Sequence, residues 1–126
     1  MIDAEVSLYL VSRARIARLH KPMGFATLPR IREFVKLRNR EHGDYFAFTV
    51  VQVTHREGGP PELWMHLTSL VEGRWVIDFF EDPELDGYIE TYRQEGWAVA
   101  SVKPNRTFRD SGESLWSELA GAKDGA

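Results

Sequence analysis

Two histidines and two acids are the side chains in this sequence best suited to proton transfer. His66 stands in the apolar run "ELWMHLTSLV" and Asp78 in "WVIDFF", so each would be a polar group inside a strand-like segment. A histidine can serve as a general acid or base near neutral pH, and a buried carboxylate must find hydrogen-bond donors. His55 and Glu81 are the other candidates for the same chemistry. Together these residues are compatible with a cofactor-free acid–base hydrolase or nuclease.

The strand register argues against a direct pair between His66 and Asp78. The dipeptide Glu-Gly at 72–73 is typical of a two-residue hairpin turn. In that register His66 lies across from Phe79, and Asp78 points to the opposite face. A bulge of one residue would bring the histidine and the aspartate together. Two other interpretations stay open: His66 as a hydrogen-bonded core residue, and Asp78 as the partner of an arginine from the basic part of the chain.

Basic residues concentrate in the first third of the chain. Residues 1–43 contain nine Lys or Arg and four Asp or Glu, although the whole chain has a formal net charge of −3. Phosphate binding needs several cations on one face, and neither a helix nor a strand over 12–21 would gather the local arginines on one side. An ion-paired or solvated role is therefore favoured, with nucleic-acid binding as an alternative. That alternative would use Arg15, Arg18, Arg32, Lys36 and Arg40.

The acid-rich segment "EDPELDGYIE" has the opposite charge and could bind a basic partner or a divalent cation. Asp82 followed by Pro83 is, however, typical of the start of a helix, where the helix dipole stabilises carboxylates. The four histidines have no paired metal-ligand spacing, and the chain contains no cysteine. Glycine-rich phosphate loops and nucleophile motifs do not occur in the sequence. The sequence therefore predicts no metal and no cofactor.

Length and composition indicate one globular domain. A chain of 126 residues with 43% hydrophobic residues can bury one core. We expect a single domain over 1–121 and a frayed tail at 122–126. The first residues do not have the pattern of a secretory signal, and the longest apolar segment is too short for a membrane-spanning helix. These features predict a cytoplasmic protein without membrane contact.

The periodicity of apolar residues predicts the element order β, α, β, β, β, α, β, α. The first helix is assigned to 27–43, which a threonine can cap and a glycine can end. The second begins at Asp82 and ends before Gly96, and a short C-terminal helix follows over 110–121. The segment 5–21 fits either a strand or a helix. The predicted fold class is α+β, an antiparallel β-meander of about four to five strands with the two main helices and the short C-terminal helix packed on it.

Both faces of the predicted meander carry large apolar side chains. Trp64 and Trp75 fall on one side, and Met65 and Phe80 fall on the other. A sheet that is covered on one side only should alternate apolar with polar residues, so the surplus favours a binding surface. The leading hypothesis is a small non-catalytic binding module that acts through a protein partner or self-association. Its role would be regulatory, adaptor or toxin-neutralising, with Trp64 and Trp75 among the binding residues.

Overall fold

The computed structural model describes residues 1–39 and 44–106 of the chain. Six strands form one mixed sheet, and two further strands form a separate antiparallel pair. In chain order the elements are β1 (Ile2–Val11), β2 (Arg15–Phe25), β3 (Phe34–Asn39), β4 (Asp44–Thr54), β5 (Glu62–His66), β6 (Thr68–Val71), β7 (Arg74–Ile77), α1 (Asp82–Gln94) and β8 (Ala98–Pro104). The large sheet has the order β3-β4-β5-β1-β2-β8, in which only β1 and β5 are parallel. The pair β6-β7 forms the second sheet.

The predicted α+β meander with two main helices and a short C-terminal helix is wrong. The described residues are mostly β, and α1 is the single helix among them. The sheet is also not a simple meander, because β1 pairs in parallel with β5 and β8 joins the far side of β2. The segment 110–121 and the tail at 122–126 lie outside the described residues.

Residues 27–39, the part of the segment 27–43 that the structure describes, do not form the predicted helix. This part of the chain turns at Arg32, whose φ is 74°, and then runs as β3 in antiparallel register with β4. Val35 and Leu37 are buried, whereas Phe34, Lys36 and Arg38 are exposed, and this alternation is the two-residue period of a strand. Local helix propensity is a weak preference, and here it is outweighed because pairing with β4 buries both of these side chains in the core.

The ambiguous segment 5–21 is extended and belongs to the hairpin of β1 and β2. The turn between the two strands is closed by Ser12, whose Oγ accepts two backbone N–H hydrogen bonds of 3.0 and 3.2 Å. In β1 the side chains of Val6, Leu8 and Leu10 are fully buried on one face. β1 lies near the centre of the sheet, with β5 on one side and β2 on the other.

The predicted strand over 62–71 is two strands in different sheets. β5 ends at His66, and the chain then leaves the large sheet at Leu67 to begin the β6-β7 hairpin. A 2.6 Å hydrogen bond between the hydroxyls of Thr49 and Thr68 ties the start of β6 back to β4. The predicted Glu-Gly turn at 72–73 is confirmed, since both residues have positive φ (51° and 76°) as a tight hairpin turn requires.

The predicted helix that begins at Asp82 is confirmed as α1. Pro83 lies in its first turn, and Gly96, with a φ of 100°, follows its end. Leu85 and Tyr92 are the buried residues of the helix, which packs on β1, β2 and β8. Glu81, and not Asp82, occupies the cap position, and it makes no side-chain cap hydrogen bond. α1, the one helix described, is too short and too polar to cross a membrane.

The large sheet therefore has two different faces. The helix-side face, which carries α1, is lined by a cluster of buried aliphatic and aromatic residues. The hairpin-side face, which carries the β6-β7 hairpin, contains the alternate residues of the same strands. Members of the first set include Leu8, Leu19, Phe48, Leu63 and Met65, and members of the second set include Tyr9, Val11, Ile16, Arg18 and Trp64.

Candidate functional site

The β6-β7 hairpin covers only one half of the hairpin-side face. Ile77 is buried against Val11 and Val51, and the ring of Trp75 packs on Phe34 of β3 with centroids 5.8 Å apart. These contacts place the hairpin over β3, β4 and the end of β1. The other half, formed by β2 and β8, is open and contains a groove.

This β2-β8 groove has a volume of about 500 Å³. That volume falls within the range of ligand-binding pockets, roughly 300–1,000 Å³. Three of the seven lining residues are cationic and none is acidic. The lining consists of Tyr9, Ile16, Arg18, Ser101, Lys103, Pro104 and Arg106.

The cations of the groove have no acidic partner in the described part of the chain. The Nε of Arg18 donates a 3.2 Å hydrogen bond to Ser7 Oγ, which holds the guanidinium on the sheet. None of the three cations forms an ion pair with a described carboxylate. Three uncompensated positive charges in one groove create a local positive potential, although the chain as a whole is negative.

The phenol ring of Tyr9 forms one wall of the groove beside these cations, and two further rings pack against it. The phenol ring of Tyr9 stacks on the imidazole of His66, with centroids 4.7 Å apart and planes within 5°. The indole of Trp64 lies 5.7 Å from Tyr9 on a tilted plane. Burial raises the pKa of Tyr9, and the nearby Arg18 opposes that shift only in part. Tyr9 therefore presents a neutral phenol to the groove at physiological pH.

His66 lies behind this wall and is almost completely buried. Burial lowers its pKa to about 3, so the imidazole is neutral near pH 7. Among residues 1–39 and 44–106, neither of its ring nitrogens has a hydrogen-bond partner. The core interpretation of His66 thus fits its burial, but the described chain does not supply the expected hydrogen bonds.

Asp78 is bonded within its own hairpin. The hydroxyl of Ser69 donates a hydrogen bond to Asp78 Oδ2, and the backbone N–H of Asp78 donates to the Leu67 carbonyl at 2.8 Å. The partner that the structure gives to this carboxylate is therefore a serine from β6. Neither His66 nor an arginine takes that place among the described contacts.

His55 and Glu81, the other candidates for proton transfer, are both exposed. His55 follows the last residue of β4, which pairs with Glu62 at the start of β5. The backbone N–H of Asp78 donates to the carbonyl of Leu67, just after the end of β5. Five residues of extended chain separate these two ends, a distance of about 16 Å. The structure therefore does not bring His55 to Asp78.

Arg15, predicted as a nucleic-acid contact, holds the start of α1. Its Nε lies 3.0 Å from Asp82 Oδ1, and its Nη1 lies 2.8 Å from Asp86 Oδ1. The hydroxyl of Ser12 donates a further 2.6 Å hydrogen bond to Asp82. The hydrogen bonds from Ser12 and Arg15 lower the pKa of Asp82, and those to Asp86 and Asp82 raise the pKa of Arg15. Part of the charge asymmetry of the sequence is thus an internal contact.

The remaining basic candidates do not lie together. Arg18 is in the groove, whereas Arg32 precedes β3 and Lys36 lies on β3. Strands β3 and β8 are at opposite ends of the six-stranded sheet, about 24 Å apart across five inter-strand spacings. Arg40 lies outside the described residues. The proposed five-residue nucleic-acid surface is therefore not assembled by the four members that the structure describes.

The two predicted tryptophans occupy the hairpin-side face, but neither lines the groove. Trp64 is half-buried next to Tyr9, and Trp75 is half-buried against Phe34. Close to Trp75, at the tip of the hairpin, the apolar side chains of Leu70 and Val71 are 59% and 51% exposed. This tip is a second surface on which a partner could pack.

Most of the groove is not identifiable from the sequence. Tyr9, Ser101, Lys103 and Arg106 were not among the candidate residues, although Arg18 was. The only available signal is the alternation of side chains along two strands. Ile16 comes two residues before Arg18, and Ser101 comes two residues before Lys103. Their meeting depends on the pairing of β2 with β8, which are far apart in sequence, and no local pattern encodes that pairing.

Compared with known proteins, the chain matches no family model, no curated protein and no solved structure. Within the described ranges there is also no group of three or more His, Asp or Glu side chains that could hold a metal ion. A function for this chain must therefore be inferred from the geometry and charge of its own residues.

Proposed function

We propose that the protein is a small non-catalytic binding module that holds an acidic segment of a protein partner in the β2-β8 groove. The observation that carries this proposal is the convergence of Arg18, Lys103 and Arg106 on one groove without a carboxylate partner in the described chain. An acidic segment would supply the missing negative charge. The regulatory, adaptor or toxin-neutralising role and the cytoplasmic location remain predictions from the sequence.

The lining of the groove suits the carboxylate side chains of an acidic segment. A guanidinium binds carboxylates with paired hydrogen bonds, and an ammonium group acts as a point charge. Arg18 is held by Ser7 before any ligand arrives, which lowers the entropic cost of ordering it. Tyr9 and Ile16 offer apolar surface for the methylene groups next to each carboxylate.

The size and surroundings of the positive patch favour a protein segment over a nucleic acid. Binding of a long polyanion needs a continuous track of cations, because its affinity grows with each phosphate neutralised. Glu5 and Glu62 lie on the same sheet face, paired with His20 and Arg56. A depression of about 370 Å³ near the start of β1 is lined by Asp3 and Glu5 and by no cation. A long nucleic acid crossing this face would meet those carboxylates.

Binding rather than catalysis is supported by the chemistry of the lining. The groove has no histidine and no carboxylate among its lining residues. His66, whose imidazole stacks on the lining residue Tyr9, is buried with a pKa of about 3. Neutral and enclosed, it is poorly placed to exchange a proton with a ligand in the groove.

The proposal is tested by fluorescence anisotropy with a labelled peptide of about eight residues in which Glu and Thr alternate. We expect a dissociation constant of about 10–100 µM at about 20 mM salt, weakening strongly at about 300 mM. The variants Arg18→Gln and Lys103→Gln should each weaken binding about 3- to 10-fold. The matched control is Lys36→Gln, which removes an exposed cation at the opposite edge of the same sheet and should leave the affinity unchanged.

Two results would contradict the proposal. One is the absence of peptide binding at low salt, and the other is an equal loss of affinity in the groove variants and in Lys36→Gln. A single-stranded DNA or RNA of the same charge serves as the competing ligand. Tighter binding of the oligonucleotide, with the same dependence on Arg18 and Lys103, would assign the groove to nucleic acid instead.

A further inference from the structure

Strand β8 forms one edge of the large sheet. It pairs with β2 on one side only, and no other strand in the described ranges pairs with its outer side. Six of its seven residues are exposed, including Val99 at 40% and Val102 at 44%. An edge strand of this kind presents a row of backbone N–H and C=O groups to which another extended chain can bond.

The opposite edge of the sheet is a poorer site for such an addition. The first residue of β3, Phe34, packs its ring on Trp75 of the hairpin. Lys36 and Arg38 follow on the same strand, and both are exposed. β3 therefore carries charged side chains at its middle, which is a common way to protect an edge strand, whereas in β8 the only charge is Lys103 near the end.

The groove and the free edge share the same residues. Ser101 and Lys103 line the groove, and both belong to the edge strand β8. Because side chains alternate between the two faces of a sheet, a strand added beside β8 would place every second side chain on the groove face. Acidic residues at every second position would then lie near Lys103, Arg106 and Arg18.

We propose that the acidic partner segment binds as an additional β-strand on the outer edge of β8, with alternate carboxylates directed to the groove. This inference rests on the proposed function, because it describes how the same acidic segment is held. A second copy of β8 is a less suitable occupant, since it would bring another Lys103 and Arg106 to a groove that is already positive. Main-chain hydrogen bonds would supply affinity, and the alternating charge would supply specificity.

The first experiment compares two peptides of equal composition and charge on the full-length protein. One alternates Glu and Thr, and the other groups its Glu residues at one end. Addition to β8 predicts that the alternating peptide binds at least about 5-fold more tightly, because only alternation places all of its carboxylates on one face. The variant Lys103→Glu leaves Arg18 and Arg106 in the groove, so it should weaken binding of the alternating peptide without reversing the charge preference.

The second experiment blocks the peptide backbone. Two versions of the alternating peptide carry N-methyl groups on every second residue, each version blocking the N–H groups of one edge. Addition to β8 predicts that one version loses at least about 10-fold in affinity while the other binds almost normally. In parallel, hydrogen exchange of the β8 amides should slow when the unmodified peptide is bound, whereas the exposed amides of the 72–73 turn serve as the control.

The outcomes separate this inference from the function on which it rests. If both peptides bind equally, both N-methylated versions bind and the β8 amides exchange as before, strand addition is overturned while charge-based binding in the groove stands. If no acidic peptide binds at all, both proposals are overturned. If the alternating peptide is preferred, one N-methylated version loses at least about 10-fold in affinity and the β8 amides become protected, the inference is supported.

Discussion

The helix-side face and the hairpin-side face of the large sheet differ in how completely they are buried. On the helix-side face, Leu8, Phe48 and Met65 have no exposed surface. On the hairpin-side face, by contrast, Ile16 is half-buried and Arg18 is exposed. The first face is covered by α1 and lined by an apolar cluster, whereas the second is covered by a short hairpin over only one half.

This difference separates the residues that hold the fold from those that are free to bind. A fully packed apolar face contributes stability because any loss of volume leaves a cavity. A half-covered face contributes less per side chain, but its open half can keep charges in water until a ligand arrives. In this chain the open half of the hairpin-side face contains three cations, and Trp64 and Trp75 belong to the apolar cluster under the hairpin. The comparison between the faces can be tested residue by residue.

The largest effect is expected from truncating the helix-side core. Leu8→Ala should lower the free energy of unfolding by about 3 kcal/mol, because the surrounding strands cannot collapse into the space left behind. Ile16→Ala, a similar truncation at the groove, should cost less than about 1.5 kcal/mol because the side chain is only half-buried. Urea unfolding of both variants measures the difference. Equal losses would show that the two faces are not distinct in packing.

A second prediction concerns the buried histidine beside the groove wall. The pKa of His66 is about 3 in the folded chain, against 6.5 for an unperturbed histidine. Between these values the unfolded chain binds the extra proton, so stability rises with pH and is lost as the pH falls from about 6.5 towards 3. When the pH falls from about 6 to about 4, protonation of His66 in the unfolded chain should lower the free energy of unfolding by about 2–3 kcal/mol.

The variant His66→Phe should flatten that part of the pH profile, and His66→Leu provides a second substitution if the larger ring packs poorly. The matched control is His55→Gln, which alters an exposed histidine and should leave the profile unchanged. Other titrating groups are common to all of these proteins, so the difference between profiles isolates His66. A profile for the His66 variants that overlays the parent curve would contradict its burial in the neutral form.

The smallest effect is expected at the ion pairs that join β2 to α1. Arg15 contacts Asp82 and Asp86 at the start of the helix, whereas Arg93 pairs with Glu90 within the helix itself. Arg15→Gln should speed amide exchange in the first turn of α1 by about 3- to 10-fold, while Arg93→Gln should change it little. Hydrogen exchange read by NMR distinguishes the two. Identical behaviour would mean that Arg15 does not anchor the helix.

Features fixed by short sequence patterns could be predicted, and features fixed by distant pairing could not. The turn at 72–73 and the helix after Pro83 follow from the backbone preferences of a few adjacent residues, and both are confirmed. The helix assigned to 27–43 failed because its residues favour a helix locally but bury Val35 and Leu37 only when paired with β4.

The candidate site shows the same limit. The charge of Arg18 marks it as a candidate in the sequence, but Ser101 and Lys103, which line the groove with it, belong to β8, more than eighty residues later in the chain. The predicted chemistry of His66 and Asp78 assumed that both would stay in one hairpin. In the structure, the chain leaves the large sheet at Leu67, which gives the histidine to β5 and the aspartate to the region after β7. The point at which the chain leaves the large sheet depends on tertiary packing, and no short sequence pattern around Leu67 marks it.

The most direct test of the account is a titration of the ¹⁵N-labelled protein with the alternating Glu-Thr peptide, followed by two-dimensional NMR. If the open half of the hairpin-side face is the binding surface, the largest shift changes should fall on 15–18 and 98–106. The amides of the hairpin tip, at Leu70 and Val71, should move little. The largest changes at the hairpin tip, with the groove unaffected, would contradict the assignment of binding to the β2-β8 groove.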